Sequence, residues 1–290
     1  MGNHYLVRIV EGDERDNYWG RYNSLIYGIS SKSCLPQSKT VYQDGVSITT
    51  TYVYDNYGQL KRESMKGSDG KWYVTSYAYP HDFNFTPYTT MTARNLLSYP
   101  VEVKRFVDYR LSHCYLTQYG SFGGNYLPKS MARNHYSGMA YDGTTFSSSG
   151  ASTGYYSAAN VVFLKRDAFG NPVHIRIKGE DIIYIWGYGC QYPIAEIRNC
   201  SYDAVQSALG CTPESLSPTI IPSPSVAALR NKLADAQVTT YTYVPLLGMK
   251  TKTAPNGEVT SFEYDDFGRL IKVLDHDGKA VEEYDYHNKN

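Results

Sequence analysis

Apolar and aromatic residues alternate with polar ones in short runs bounded by glycine. The alternation is clearest toward the C-terminus. Tyr241 and Tyr243, Phe262 and Tyr264, and Tyr284 and Tyr286 form pairs two positions apart, and the second members are spaced by 21 and then 22 residues. Side chains two apart share one face of a strand, so each pair predicts a half-buried β-strand. Turn signals fall in phase between the pairs: Gly248 and Gly268, then Asn256-Gly257 and Asp277-Gly278. Asn-Gly and Asp-Gly accept positive φ at both central positions of a two-residue turn, which predicts tight hairpins. A period in this range means repetitive architecture.

The unit recurs upstream with less regularity. Tyr52-Val53-Tyr54-Asp55-Asn56-Tyr57-Gly58-Gln59-Leu60 leads to Asp69-Gly70 and then to Tyr77 and Tyr79. Val162 and Leu164, Asp167-Ala168-Phe169-Gly170-Asn171 and Gly179 lead to Tyr184 and Trp186. Val7 and Ile9 with Gly12 and Gly20 suggest a further copy, and Val101, Val103 and Phe106 extend the strand pattern. Two stretches break it. Residues 120–160 are rich in Gly, Ser, Asn and Tyr and are expected to form long loops with at most short strands. Residues 200–237 have helical spacing. Ser201 caps a segment carrying Ala204, Val205, Ala208 and Leu209 that stops at Gly210. A linker with Pro213, Pro218 and Pro222 follows, and Ser223-Pro224 opens a second helix with Val226, Leu229 and Leu233. The expected organisation is an irregular repeat-like β region over 1–199, a helical insertion over 200–237 that packs on the sheet, and regular repeats over 238–290, together one continuous domain.

Composition narrows the function classes. The 290 residues carry 28 basic and 28 acidic side chains, which argues against electrostatic nucleic-acid binding. Thirty tyrosines, with a mean hydropathy of −0.45, describe a folded, tyrosine-rich, β-rich chain rather than a disordered one. No run of about 18 apolar residues is present, so no membrane span is expected. The N-terminal residues lack the basic and apolar regions of a signal peptide. Cys34, Cys114, Cys190, Cys200 and Cys211 are odd in number and irregular in spacing, and without a CxxC pair they predict neither a disulfide framework nor a zinc site.

Tyr264-Asp265-Asp266-Phe267-Gly268-Arg269-Leu270, followed by Asp277-Gly278-Lys279 and Tyr284-Asp285-Tyr286, resembles the YD-repeat (Rhs) family. Tyr54-Asp55-Asn56-Tyr57-Gly58-Gln59-Leu60 is similar to the same motif. The stretches Met91-Thr92-Ala93-Arg94-Asn95-Leu96-Leu97, Ile185-Trp186-Gly187-Tyr188 and Tyr192-Pro193-Ile194-Ala195 resemble Rhs-repeat proteins of Bacteroidetes-type bacteria. The resemblance implies a curved β-strip or partial shell of antiparallel hairpins. It makes Tyr54, Asp55, Gly58, Leu60, Tyr264, Asp265, Gly268, Leu270, Gly278 and Tyr286 the structural residues of the repeat. It also implies a secreted or cell-surface, toxin-associated protein, with the rest of a shell or a capping or toxin protein as partner. The length implies a fragment or a short relative without a toxin domain, and the Asp-Pro-x-Gly self-cleavage motif of shell-capping domains is absent from the sequence.

Candidate chemistry is sparse. Trp19, Trp72 and Trp186 are the candidate aromatic platforms for a sugar. Asp275-His276-Asp277-Gly278 begins like a calcium loop, but its twelfth position is Tyr286 where a glutamate is required, so it reads as a turn. Gly150-Ala151-Ser152-Thr153-Gly154 has nucleophile-elbow spacing without the strand and helix that motif needs. Gly120-Ser121-Phe122-Gly123-Gly124-Asn125 lacks a phosphate-loop context. His113, Cys114 and His135 are read as scattered, and Asp265 with Asp266, and Glu282 with Glu283, as solvated charges. No cofactor or metal is expected. Two function classes stand. The first is a non-enzymatic repeat scaffold that encloses or presents a partner or binds carbohydrate at the cell surface, with open strand edges available for self-association. The second is a carbohydrate-active enzyme with a site assembled from scattered carboxylates. The first is favoured, because the repeat uses the informative residues for structure.

Overall fold

The computed structural model describes residues 4–8, 25–29, 35–43, 45–140, 159–218 and 224–286. Trp19, Cys34 and the 150–154 motif lie outside them. The first two strands, β1 (His4–Arg8) and β2 (Leu25–Ile29), pair antiparallel with each other. The remaining strands are β3 (Ser38–Gln43), β4 (Val46–Tyr54), β5 (Leu60–Lys66), β6 (Trp72–Ala78), β7 (Glu102–Val107), β8 (Arg110–Phe122), β9 (Asn125–Ala140) and β10 (Val161–Arg166). They continue as β11 (Pro172–Ile177), β12 (Glu180–Gly187), β13 (Tyr192–Arg198), β14 (Gln237–Val244), β15 (Gly248–Thr253), β16 (Val259–Tyr264), β17 (Leu270–Leu274) and β18 (Ala280–Glu283). These sixteen form one sheet in strict chain order, every neighbour antiparallel, with β3 and β18 as its edges. The sheet is open. Its order is what a hairpin repeat dictates, since each strand pairs with the one before and the one after.

Six hairpins share one turn, which differs from the two-residue turn expected for Asn-Gly and Asp-Gly. Each loop spans five positions: 55–59, 67–71, 167–171, 254–258, 265–269 and 275–279. The first residue donates its N–H to the fifth carbonyl and accepts from the N–H of the fourth, as in Asp265 N to Arg269 O at 2.9 Å and Gly268 N to Asp265 O at 2.9 Å. Only the fourth residue is left-handed, and it is always glycine, with φ of 77° at Gly58 and Gly268 and 78° at Gly278. This is a type I turn closed by a one-glycine bulge, a conformation that asks for a single positive φ. Asn256 and Asp277 therefore keep ordinary backbone. Two-residue turns with two positive φ values do occur, at Asp108-Tyr109, Gly123-Gly124 and Lys178-Gly179.

The long loops expected over 120–160 are strand as far as Ala140. β8 and β9 are 13 and 16 residues long and pair along nearly their full length. A Gly-Gly turn and cross-strand tyrosines, serines and asparagines suffice for a sheet whose second face is not fully buried.

Two insertions place helices on the sheet. Between β6 and β7 a single 3₁₀ turn (Pro80–Asp82) leads into α1 (Tyr88–Ala93), which buries Tyr88 and Met91. Between β13 and β14 lie α2 (Tyr202–Leu209), α3 (Pro213–Leu216), α4 (Pro224–Ala227) and α5 (Leu229–Lys232). Ser201 Oγ accepts from Ala204 N–H at 3.2 Å, and Gly210 at φ 76° ends α2. α3 falls where a linker is expected, started by Pro213 at its first position.

Each insertion covers its own core. Tyr88, Met91, Phe106, Leu111, Cys114 and Leu116 form the first, and Ile183, Ile185, Ile197, Val205, Leu229 and Val238 belong to the second. Register shows that both cores lie on one face. Leu116 opposes Ala132, Ser130 opposes Val162, Val162 opposes Arg176 and Arg176 opposes Asp181. Ile183, two residues beyond Asp181, opposes Ile197, which opposes Val238. The helices thus cover one face of the strip and leave the other uncovered by them.

Candidate functional site

The repeat itself is the best-defined arrangement in the molecule. In four of the six shared turns the first residue is aspartate, and its carboxylate clamps the loop. Asp55, Asp167, Asp265 and Asp275 each accept through Oδ1 from the N–H groups two and four residues on, at 2.8–3.0 Å. A short side chain with two acceptor lone pairs at this position satisfies loop donors that the bulge leaves without a strand partner. Tyr54 and Tyr264, the residues before two of these aspartates, are half-buried at the strand ends.

The closing aromatic of each unit ties the next layer to that turn. Tyr79 Oη donates to Leu60 O at 2.9 Å, Trp186 Nε1 to Pro172 O at 2.8 Å and Tyr286 Oη to Leu270 O at 2.9 Å. Leu60, Pro172 and Leu270 each stand two positions after a turn glycine. Tyr264 Oη reaches Met249 O at 2.8 Å, directly after Gly248. Burial pushes the Tyr79 hydroxyl up to about 12, so it remains a donor at physiological pH. Motif and closing aromatic are therefore two ends of one device: a clamped turn, and a ring laid over the strand that leaves it.

Among the candidate sugar platforms, Trp186 is half-buried, packs against the second core and has its indole N–H engaged as above. Trp72 is 38% exposed, and its backbone N–H donates to Asp108 Oδ1 at 2.9 Å. Trp186→Phe is expected to lower stability by about 1 kcal/mol through loss of that hydrogen bond. Urea denaturation checks this; unchanged stability would contradict the tie.

The carboxylates considered for glycoside chemistry are placed differently from a cleft pair. Asp265 clamps its turn and holds Arg269, with Oδ2 at 2.7 Å from Nε. Glu282 opposes Val273 and Glu283 opposes Lys272, so the two point to opposite faces. The N–H of Arg269, then the Arg269 side chain and the N–H of Phe267, hold the Asp265 carboxyl below its ordinary 3.8, against the opposing pull of burial. A depressed folded-state value stabilises above the unfolded pKa of about 4, and that contribution disappears as pH falls through the lower value. The stability difference between the natural chain and Asp265→Asn is therefore expected to persist near neutrality and to shrink below about pH 4. Denaturation midpoints for both across that range check it; a difference that grows on acidification would contradict it.

Other polar groups serve structure. Asp55 Oδ2 lies 2.7 Å from His81 Nε2, and His81 stacks on Tyr79 at a 9° interplanar angle. His113 and His135, read as scattered, are register partners with ring centroids 4.5 Å apart. Cys114, the next residue along β8, points to the opposite face and is buried in the first core, away from both. Burial first, then His135, Arg133 and Arg105, lower the His113 pKa. The four described cysteines form no disulfide, and Cys190 and Cys200 are pushed up by burial. Among the described residues no three His, Cys, Asp or Glu side chains converge on a metal position, and no helix is long and apolar enough to cross a membrane.

Residues 247–280 match the family model described as RHS Repeat. Among solved structures the chain is similar to a Photorhabdus luminescens Tc holotoxin pore carrying a TccC3 mutation, at 12% identity and a TM-score of 0.32, over 81% of this chain and 13% of that one. It is also similar to the TcdB2-TccC3 crystal structure without the hypervariable C-terminal region, at 13% identity and a TM-score of 0.33, over 83% of this chain and 13% of that one. The chain thus spans about an eighth of the length of those structures. No curated protein matches it.

Proposed function

From a chain that carries an RHS repeat over 247–280, we propose a non-enzymatic β-scaffold: a stretch of Rhs-type wall that encloses or presents a partner. The observation that carries this reading is the use of the motif residues. The aspartates clamp turns, the closing aromatics donate to strand carbonyls, and the resulting sheet runs through sixteen strands without closing. Such a strip stacks one unit on the next and ends in edge strands that accept further units. β3 and β18 are exposed along their whole length, as such edges require. Partners of this kind are other Rhs segments or a protein held behind the wall.

A carbohydrate-binding surface and a carbohydrate-active enzyme make different demands. The first needs exposed, co-facing aromatic rings, and the second two carboxylates across a cleft. The purified chain, incubated with a panel of polysaccharides, is expected to release no reducing sugar and to show no saturable binding. Sugar release abolished by a single carboxylate substitution would replace the scaffold with an enzyme. Saturable binding lost on substituting Trp72 would add a lectin role.

A further inference from the structure

Beside the first core, the face that carries the helices holds charges that the repeat does not use. Register places Arg62 on β5 opposite Ser76, Ser76 on β6 opposite Lys104, and Lys104 on β7 opposite Cys114, which lies in that core. In the next row Ala78 opposes Glu102, and Glu102 opposes Leu116 of the same core. Glu102 and Lys104 are only 3% and 2% exposed, and Lys104 Nζ lies 3.1 Å from Glu102 Oε2. Taking two charges out of water is expensive, and an apolar pair of similar volume would pack as well or better. Such departures from the local pattern concentrate at functional or strained positions.

A cavity of about 310 Å³ opens over these rows, lined by Lys61, Arg62, Ser76, Ala78, Phe83 and Lys104. Asp82 and Glu102 also line it, and each carboxylate already has its cation. Asp82 accepts from Lys61 Nζ at 2.7 Å through Oδ1 and 2.6 Å through Oδ2, and from the Tyr79 N–H at 2.8 Å. Glu102 is matched by Lys104. Three cations thus meet two carboxylates, and the unmatched charge is Arg62. Arg62 is exposed and makes no ion pair or side-chain hydrogen bond among the described residues. The Ser76 hydroxyl, between Arg62 and Lys104 in its row, has no hydrogen-bond partner among them either. Neighbouring strands are about 4.8 Å apart, so this row sets a guanidinium, a hydroxyl and an ammonium across about 10 Å.

The geometry points to a binding site for a small monocarboxylate with a short apolar body, its carboxylate on Arg62 and Ser76 and its apolar end against Ala78 and Phe83. A guanidinium holds a carboxylate through two parallel N–H bonds, and the hydroxyl supplies a third donor. One carboxylate cancels the surplus charge. A phosphate dianion overshoots it and is repelled by Asp82 and Glu102. The volume, about ten waters at their share of about 30 Å³ in the liquid, limits the ligand to a small molecule or one terminal residue. A free acid and the C-terminal residue of a peptide present the same group. This inference stands independently of the wall reading, and its failure leaves that reading untouched.

The test uses the full chain and N-acetylvaline, titrated by NMR. A Kd of about 0.1–1 mM is expected, rising with salt. N-acetylvaline amide, which lacks the charge, and inorganic phosphate should bind about tenfold or more weakly. Arg62→Gln replaces an exposed side chain, should melt like the natural chain and should lose about tenfold or more in affinity. Lys66→Gln, exposed on the same face of β5 but outside the cavity, should bind as the natural chain does. A short peptide ending in a free valine carboxylate separates the two sources: binding as tight as that of N-acetylvaline assigns a chain terminus, and weaker binding a free acid. Equal binding of acid and amide, no binding of the acid, tighter binding of phosphate, full affinity in Arg62→Gln, or an equal loss in Lys66→Gln would each overturn the proposal.

Discussion

Gly248→Ala is expected to destabilise the chain by about 3 kcal/mol, although it adds one methyl group to a half-buried strand. A Cβ on Gly248 would lie 2.5 Å from Tyr264 Oη and 2.8 Å from its Cζ. The ring cannot stay where it is. Moving it breaks the hydrogen bond to Met249 O and uncovers the strand beneath. Loss of a hydrogen bond with its acceptor left behind accounts for about 1–2 kcal/mol, and overpacking adds a similar amount. The sign of the coupling is specific. In a Tyr264→Val background the methyl group meets no ring, and Gly248→Ala should cost clearly less, leaving only the backbone strain of a side chain at φ 159°. Urea denaturation of the four variants completes the cycle. An equal loss in both backgrounds would mean that the ring lying over the glycine is not what the repeat depends on.

Asp167→Ala is expected to have a comparable effect, about 3 kcal/mol, while Asp275→Ala loses about 1 kcal/mol. Both aspartates make the same two bonds to loop N–H groups. Asp167 is 7% exposed and also accepts from Asn171 Nδ2 at 3.0 Å, whereas Asp275 sits in an exposed turn. Water replaces the lost acceptor readily at the exposed turn and less readily at Asp167, which is itself buried and whose donors include the N–H of half-buried Asn171. Asn171 has a further role, donating to Cys190 O at 2.8 Å, so the loss spreads to the β12–β13 turn. Chemical denaturation distinguishes the two. Similar losses at both positions would show that burial does not set the strength of the clamp.

The strand-and-turn repeat is legible in the sequence wherever turn glycine and aromatic pair keep their spacing, as over 238–290 and 162–186. What the spacing does not reveal is the turn class. Asn-Gly and Asp-Gly serve two-residue turns and five-position bulged loops alike, and only the hydrogen bonds at 254–258 and 275–279 separate them. The β8–β9 hairpin is hidden because its strands carry serine, asparagine and glycine that read locally as loop. Its pairing partners supply what intrinsic propensity lacks. α1 is hidden for a related reason: six residues, five of them Thr, Tyr or Met, show no helical period long enough to detect. The juxtaposition of His113 with His135 depends on register shifts on either side of them, which no local pattern specifies. Trp186 is conspicuous as an aromatic, but its place over Pro172 follows only from aligning it with Tyr79 and Tyr286.

The central claim is that this chain is an open strip whose edge strands await further units. Small-angle X-ray scattering coupled to size exclusion, over a range of loading concentrations, tests it most directly. A compact chain of this length has a radius of gyration of about 19 Å. A clearly larger value is expected, or growth with concentration as β3 of one molecule meets β18 of another. A radius of about 19 Å that does not change with concentration would contradict it, because the sheet would then be closed on itself.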